Sequence, residues 1–312
     1  MKCTQIITIL ILLANPVYVF AVNGGLEINQ ACVDEGCFTG DSPGFPITIT
    51  EPGIYFLTSN IIIADGRETV VRINASNVDL DLNGFSITGN NSCDTMGNCT
   101  ITEVSGAGVF SGSINVAVRN GFVGGFGDAG VWVNEASLIE DIQASNNRRK
   151  GLRAEEGSTV RNCVANNNGD IGIEVAEARV VDSTAIRNGQ FGFAVGRGSI
   201  LDRVIARENL IGITDFNGAT IMNSSIFRNR QTGLEVIRGG TQVFNSQFLE
   251  NDGVGIGHRG DSGDTPGGIP AVVRDSVFYG NSGSFDGANF GGAGPIIGAG
   301  TNLCNTNTTC DF

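Results

Sequence analysis

Two triplets of side chains recur at spacings that would set them side by side on a repeating surface: Trp132, Arg153 and Glu174, each 21 residues apart, and Arg187, Arg207 and Arg228, 20 and 21 residues apart. An aromatic ring beside an arginine and a carboxylate can hold a sugar, the ring stacking on the sugar face while the charges bond hydroxyls or a uronate. Phe110 extends this row by one repeat; the plainer alternative is that a loop near Cys93 to Cys99 folds over Phe110 and Trp132. A file of arginines repels itself unless an anion such as a uronate chain offsets it or water screens it, and a solvated corner partly neutralised by Glu208 is the simpler reading. Asp182 and Asp202 form a third group. Two carboxylates one repeat apart can shift each other's pKa or share a cation, which makes them catalytic candidates, although a turn at that position would also want Asx.

These groups meet only if the chain winds with a fixed period, and it does. An Asx anchor recurs at Asn120, Asp141, Asn162, Asp182, Asp202, Asn223, Asn245 and Asp275, with spacings of 21, 21, 20, 20, 21, 22 and 30. Two residues before the anchor stand apolar side chains from Val118 and Ile139 through Val180, Ile200 and Ile221 to Val273, and three after it stand Ala144, Ala165, Ala185, Ile205, Ile226, Phe248 and Phe278. Ten after the anchor comes a glycine (Gly130, Gly151, Gly172, Gly192, Gly212, Gly233, Gly255), expected to supply positive φ at a tight corner. An apolar residue follows each glycine. Three inward columns flanked by polar positions describe short strands, and a coil of about 21 residues has no room for a helix. The fold class is therefore all-β, a right-handed parallel β-helix with caps at both ends.

Six after the anchor an asparagine recurs at Asn147, Asn168, Asn188, Asn229, Asn251 and Asn281, with Glu208 as the exception. Stacked asparagines bond one another along a repeat and read as architecture. By the same register His258, the one histidine, followed by Arg259, Asp261 and Asp264, falls in the inward column of Ala154, Val175, Val195 and Val236. That leaves it no catalytic role. Cys163 stands where other coils place Ser183, Ser224, Ser246 and Ser276, and reads as an inert core thiol.

Residues 1–21 read as a signal peptide: Met1-Lys2, an apolar run from Ile6 to Ala14, and Val19-Phe20-Ala21 before the cut. The run is too short for a membrane span of roughly 20 residues. Export favours local disulfides in the pairs Cys32 with Cys37, Cys93 with Cys99 and Cys304 with Cys310. A net charge of −13, from 19 Lys+Arg against 32 Asp+Glu with no dense basic run, argues against nucleic acid as a partner. Residues 22–72 are expected to cap the first coil, 73–285 to form the coils and 286–312 to close the far end as a Gly-rich tail.

Pro52-Gly53-x-Tyr55, the Asp81-Leu82-Asn83-Gly84 turn, coils ending in Gly-Ile or Gly-Leu, and the closing Gly300-Thr301-Asn302-Leu303-Cys304 with Thr309-Cys310 resemble secreted bacterial right-handed β-helix proteins of the pectate-lyase-like superfamily. The resemblance implies a fold more firmly than a function, because members of that superfamily cleave, epimerise or merely bind polysaccharides. No motif of the calcium-dependent lyases or of the multi-aspartate polygalacturonases is present. The expectation is a secreted, periplasmic or surface protein that binds polysaccharide on its lateral face through Trp132, Arg153, Glu174, Arg187, Arg207 and Arg228, with no cofactor. The rivals are a lyase, epimerase or hydrolase acting on a uronate-containing glycan, where calcium would enter only for a lyase, and a structural or adhesive spacer.

Overall fold

The computed structural model describes residues 24–259, 271–281, 283–286, 296–299, 302–304 and 308–309. The expected signal peptide, Asp261, Asp264 and the expected Cys304 to Cys310 bridge lie outside them.

Alternating apolar and polar residues over three to five positions give short strands, and each coil carries such strands on three sides. One coil consists of Lys150–Ala154, Thr159–Arg161 and Val164–Asn166, and the next of Ile171–Val175, Arg179–Val181 and Thr184–Ile186. Among the described residues every strand pairs in parallel with its counterpart one coil away, except Thr308–Thr309, which runs antiparallel to Leu303–Cys304; together they give an eleven-stranded sheet on one side and a 22-stranded sheet that wraps the other two. Those two sides merge because Val116–Gly124 and Leu138–Ser145 run unbroken through a corner that later coils interrupt. The stack of about 11 turns reaches back to Leu26–Ile28 and Ile47–Ile49, which already pair in parallel with Gly53–Leu57 and Val71–Ile73.

Like packs on like inside. Val131, Leu152, Ile173, Phe193, Ile213, Leu234 and Ile256 lie in register and fully buried. A second file runs Ala144, Ala165, Ala185, Ala206, Ile226, Phe248, Phe278, and its last two rings stack at 4.9 Å. Such a core is continuous along the axis, so each coil is stabilised by both neighbours rather than by itself.

At one coil the register differs from the expected one by a residue. Leu201, not Ile200, pairs with Val180 and Ile221, and Ala206, not Ile205, pairs with Ala185 and Ile226. Ile200 and Ile205 are exposed. The anchor there is Arg203, whose φ of 55° matches the 50° of Asp182 and 53° of Asn223. The cause is the asparagine ladder, which is unbroken: Asn147, Asn168, Asn188, Asn209, Asn229, Asn251 and Asn281 are all buried. Each side chain through Asn251 donates to the next Oδ1 over 2.8 to 3.2 Å, as does each backbone N–H over 2.9 to 3.1 Å. Breaking such a file leaves buried polar groups unpaired at about 1–3 kcal/mol each. A non-Asx residue at positive φ costs less, roughly 1–2 kcal/mol.

The glycine column also has a different cause from the one expected. Positive φ belongs to the anchor column and to the column five residues after it, from Asn146 to Glu250, whereas Gly130, Gly151, Gly172, Gly192, Gly212 and Gly233 do not have it. Their role is space. A Cβ on Gly192 would lie 2.5 Å from the carbonyl oxygen of Gly212 and 2.6 Å from Nδ2 of Asn209, so the glycines make room for the ladder.

Cys32–Cys37 and Cys93–Cys99 are disulfide-bonded. Cys163 is buried and free, its thiol pushed up to about 12 by burial. Its N–H donates to Ser183 Oγ at 3.2 Å, continuing the serine file. Among the described residues no helix is long and apolar enough to cross a membrane.

Candidate functional site

The eleven-stranded sheet sets its outward residues in line. Its middle positions pair in the order Arg72, Phe110, Trp132, Arg153, Glu174, Ala194, Thr214, Glu235, so the row expected from spacing exists. Neighbours one coil apart, at about 4.8 Å, leave room for flat groups to stack, and they do. The Arg153 guanidinium lies 4.2 Å over the Trp132 ring, Phe110 meets that ring edge-on at 5.2 Å, and Arg72 lies 5.2 Å over Phe110. The expected sugar platform is therefore altered. Arg153 covers one face of Trp132 and Phe110 packs against the ring at right angles, so the half-buried indole keeps only part of its surface for a ligand.

Trp132 borders an open groove of about 390 Å³ with Phe110, Ser111, Asn134, Glu135, Glu155, Glu156 and Glu177. Glu155 accepts from Arg153 Nε at 2.6 Å, and Glu174 is held by Lys150 Nζ at 2.5 Å. Lys150 is nearly buried, 5.9 Å from the Trp132 centroid. It was not foreseen from the sequence; the only hint is a cation in a column otherwise occupied by Ala129, Ile171, Phe191 and Ile211. The groove carboxylates were missed for a similar reason, since they sit at a corner, outside the strand periodicity.

The loop closed by Cys93–Cys99 does not cover this groove. It packs on another corner, where Asn91 Nδ2 donates to the carbonyl of Asn146 at 2.7 Å and Cys93 N to Asn146 Oδ1 at 3.3 Å. Beneath it lies a polar cleft of about 470 Å³ lined by Asn98, Arg148, Arg149, Asp170 and Gln190 among others. Burial raises the Asp170 carboxyl above the usual range, against the opposing charge of Arg149.

The one-residue shift separates the other expected groups. Asp182 is an anchor but Asp202 is not, so the two carboxylates do not share a column. Arg203 sits between them, donating from Nε and Nη2 to Asp182 at 2.6 and 2.9 Å and from Nη1 to Asp202 at 2.7 Å. Those bonds hold the Asp182 carboxyl below the usual range. Asp202 also accepts from Asn223 Nδ2 at 3.0 Å. A shared proton or cation between the pair is replaced by a shared arginine. The arginine file dissolves likewise: Glu208, not Arg207, has the positive φ of Arg187 and Arg228. Arg187 Nε donates to Glu208 at 2.6 Å, Arg228 Nε donates to Glu250 at 2.7 Å, and Arg207 also pairs with Glu208. An alternating ladder of charge has no need of a uronate chain.

His258 pairs with Val236 in the inward column and is buried. Asp215, two coils away in that column, accepts from the N–H of Ala219 at 2.8 Å, the N–H of Asn217 at 2.9 Å and the hydroxyl of Thr241. Burial raises its carboxyl, and its bonds hold a turn together. Among the described residues no group of three or more His, Cys, Asp or Glu converges as a metal site.

Residues 59–211 match the family model for the right-handed β-helix region. That match spans just under half of the chain and agrees with the parallel β-helix that its strands build. This β-helix is similar to the solved A-module of an Azotobacter vinelandii mannuronan C-5 epimerase (18% identity, 91% of this chain and 84% of that one, TM-score 0.56). It is also similar to a pectate lyase (15%, 92% and 81%, 0.62) and to a lacto-N-biosidase of Eubacterium ramulus (11%, 91% and 68%, 0.57). At such identities the likeness concerns the fold of the β-helix. No curated protein matches its sequence.

Proposed function

We propose that this β-helix is an exported protein that binds polysaccharide along the outer face of its eleven-stranded sheet. One observation carries the reading: the open groove sets the half-buried Trp132 ring beside several carboxylates on the outer side of the sheet. Carboxylates accept sugar hydroxyls in charge-assisted hydrogen bonds, and an aromatic ring supplies apolar contact. Related folds described as a mannuronan epimerase, a pectate lyase and a lacto-N-biosidase support a carbohydrate partner in kind. An extracellular or periplasmic location agrees with the leader-like start. Binding without turnover is preferred because Arg203 occupies the space between the best carboxylate candidates.

Glycan-array screening of the protein lacking residues 1–21, followed by titration calorimetry on the best hit, tests this. Trp132→Ala should weaken binding at least tenfold, the loss typical of a buried anchor at a contact centre, while thermal unfolding shows the fold retained. Unchanged affinity in the folded variant removes the groove as the site. Release of unsaturated uronides from pectin or alginate would instead establish a lyase.

A further inference from the structure

The groove's charge restricts which polysaccharide it can take. Glu135, Glu156 and Glu177 occupy the same corner of three successive coils, because the N–H of Ala136 donates to the carbonyl of Glu156 at 2.8 Å and that of Gly157 to the carbonyl of Glu177 at 2.9 Å. All three are exposed, and none has an ion-pair partner among the described residues. Coils are spaced at about 4.8 Å, so the three like charges run as a file along one lip of the groove. Elsewhere on the molecule comparable files alternate in sign, as in Arg187, Glu208, Arg228 and Glu250. Here no cation intervenes. Across the groove the nearest positive charge, Arg153, is already committed to Glu155 at 2.6 Å and is stacked on Trp132. A polyuronate laid beside Trp132 would meet the three carboxylates, with Arg72 stacked on Phe110 at one end of the row and the exposed Arg197 one coil beyond Glu177 at the other, and like charges in a contact are repulsive. A protonated amine meets the opposite situation, since each one placed against the file relieves existing repulsion as well as gaining attraction.

We propose that the groove selects an amine-bearing hexosamine polymer, with Glu135, Glu156 and Glu177 as its specificity-determining residues. This rests on the reading of the Trp132 groove as the polysaccharide site. Calorimetry with three oligosaccharides of equal length tests it at pH 5.5 and low salt: a de-N-acetylated hexosamine oligomer, its fully N-acetylated counterpart, and an oligouronate. The de-N-acetylated oligomer should bind tightest, and in Glu156→Gln/Glu177→Gln its affinity should fall roughly three- to tenfold, the size expected for two exposed charge pairs. Affinity for the neutral counterpart should fall by clearly less, because glutamine still accepts sugar hydroxyls through its amide oxygen. Added salt should reproduce the loss in the parent protein.

A tighter oligouronate, or equal losses for charged and neutral oligomers in the double variant, overturns the proposal while leaving the groove as the site. Binding of the amine oligomer that survives Trp132→Ala shows that the groove reading itself has failed. Isosteric glutamines at exposed positions leave the fold intact, which thermal unfolding verifies.

Discussion

Asn209→Ala should destabilise the protein by roughly 3–5 kcal/mol, whereas Glu208→Ala, one residue away, should cost less than about 1 kcal/mol. Asn209 Oδ1 accepts from both the backbone N–H and Nδ2 of Asn188, at 2.9 and 3.0 Å, and its own Nδ2 donates to the carbonyl of Ala185 at 3.0 Å. Truncation leaves three buried polar groups without those partners and adds a void between two coils. Glu208 lies at the surface and bonds only arginines, so its loss exposes nothing. Urea unfolding of the two variants measures both. Had the chain adopted the register with Glu208 on the ladder position, the order of the two effects would reverse.

Gly192→Ala should cost roughly 3 kcal/mol, and Gly198→Ala about 1 kcal/mol. A methyl at Gly192 meets the Gly212 carbonyl at 2.5 Å and Asn209 Nδ2 at 2.6 Å. Neither can yield, because the first is sheet backbone and the second is held in the ladder. At Gly198 φ is +65° and nothing lies within 4 Å of the added carbon, so only the backbone preference is lost. If glycine at the recurring corner served φ instead of space, the two substitutions would cost about the same. Thermal unfolding under one set of conditions separates these cases.

The columns Val131 to Ile256 and Ala144 to Phe278 could be read from the chain because a solenoid repeats its burial pattern, and burial pattern is what apolar spacing records. The slip at Leu201 could not be read from apolar spacing, since Ile200-Leu201 and Ile205-Ala206 offer an apolar residue in either register. Asx preference then points to Asp202 and is misleading. The decisive signal was Asn209, 21 residues after Asn188 and 20 before Asn229, because an unpaired buried amide outweighs an arginine at positive φ. From that one residue follow the loss of the aspartate pair and of the arginine file.

The aromatic row illustrates a different limit. Spacing put Phe110, Trp132, Arg153 and Glu174 side by side, as they are. It carried no information on ring orientation, and coils close enough to be neighbours are also close enough to stack on each other's faces. The groove carboxylates lie at a corner, where no periodicity of burial marks them, and only the backbone bonds between coils bring Glu135, Glu156 and Glu177 into file.

Hydrogen–deuterium exchange with and without a bound glycan tests most directly whether the outer face of the eleven-stranded sheet is the binding surface. Protection should appear in peptides spanning 110–112, 132–136 and 153–157, with the opposite corners around Arg187 and Arg228 unaffected. Protection confined to the cleft beneath the Cys93–Cys99 loop, or to the face carrying Asp182 and Arg203, would contradict the account.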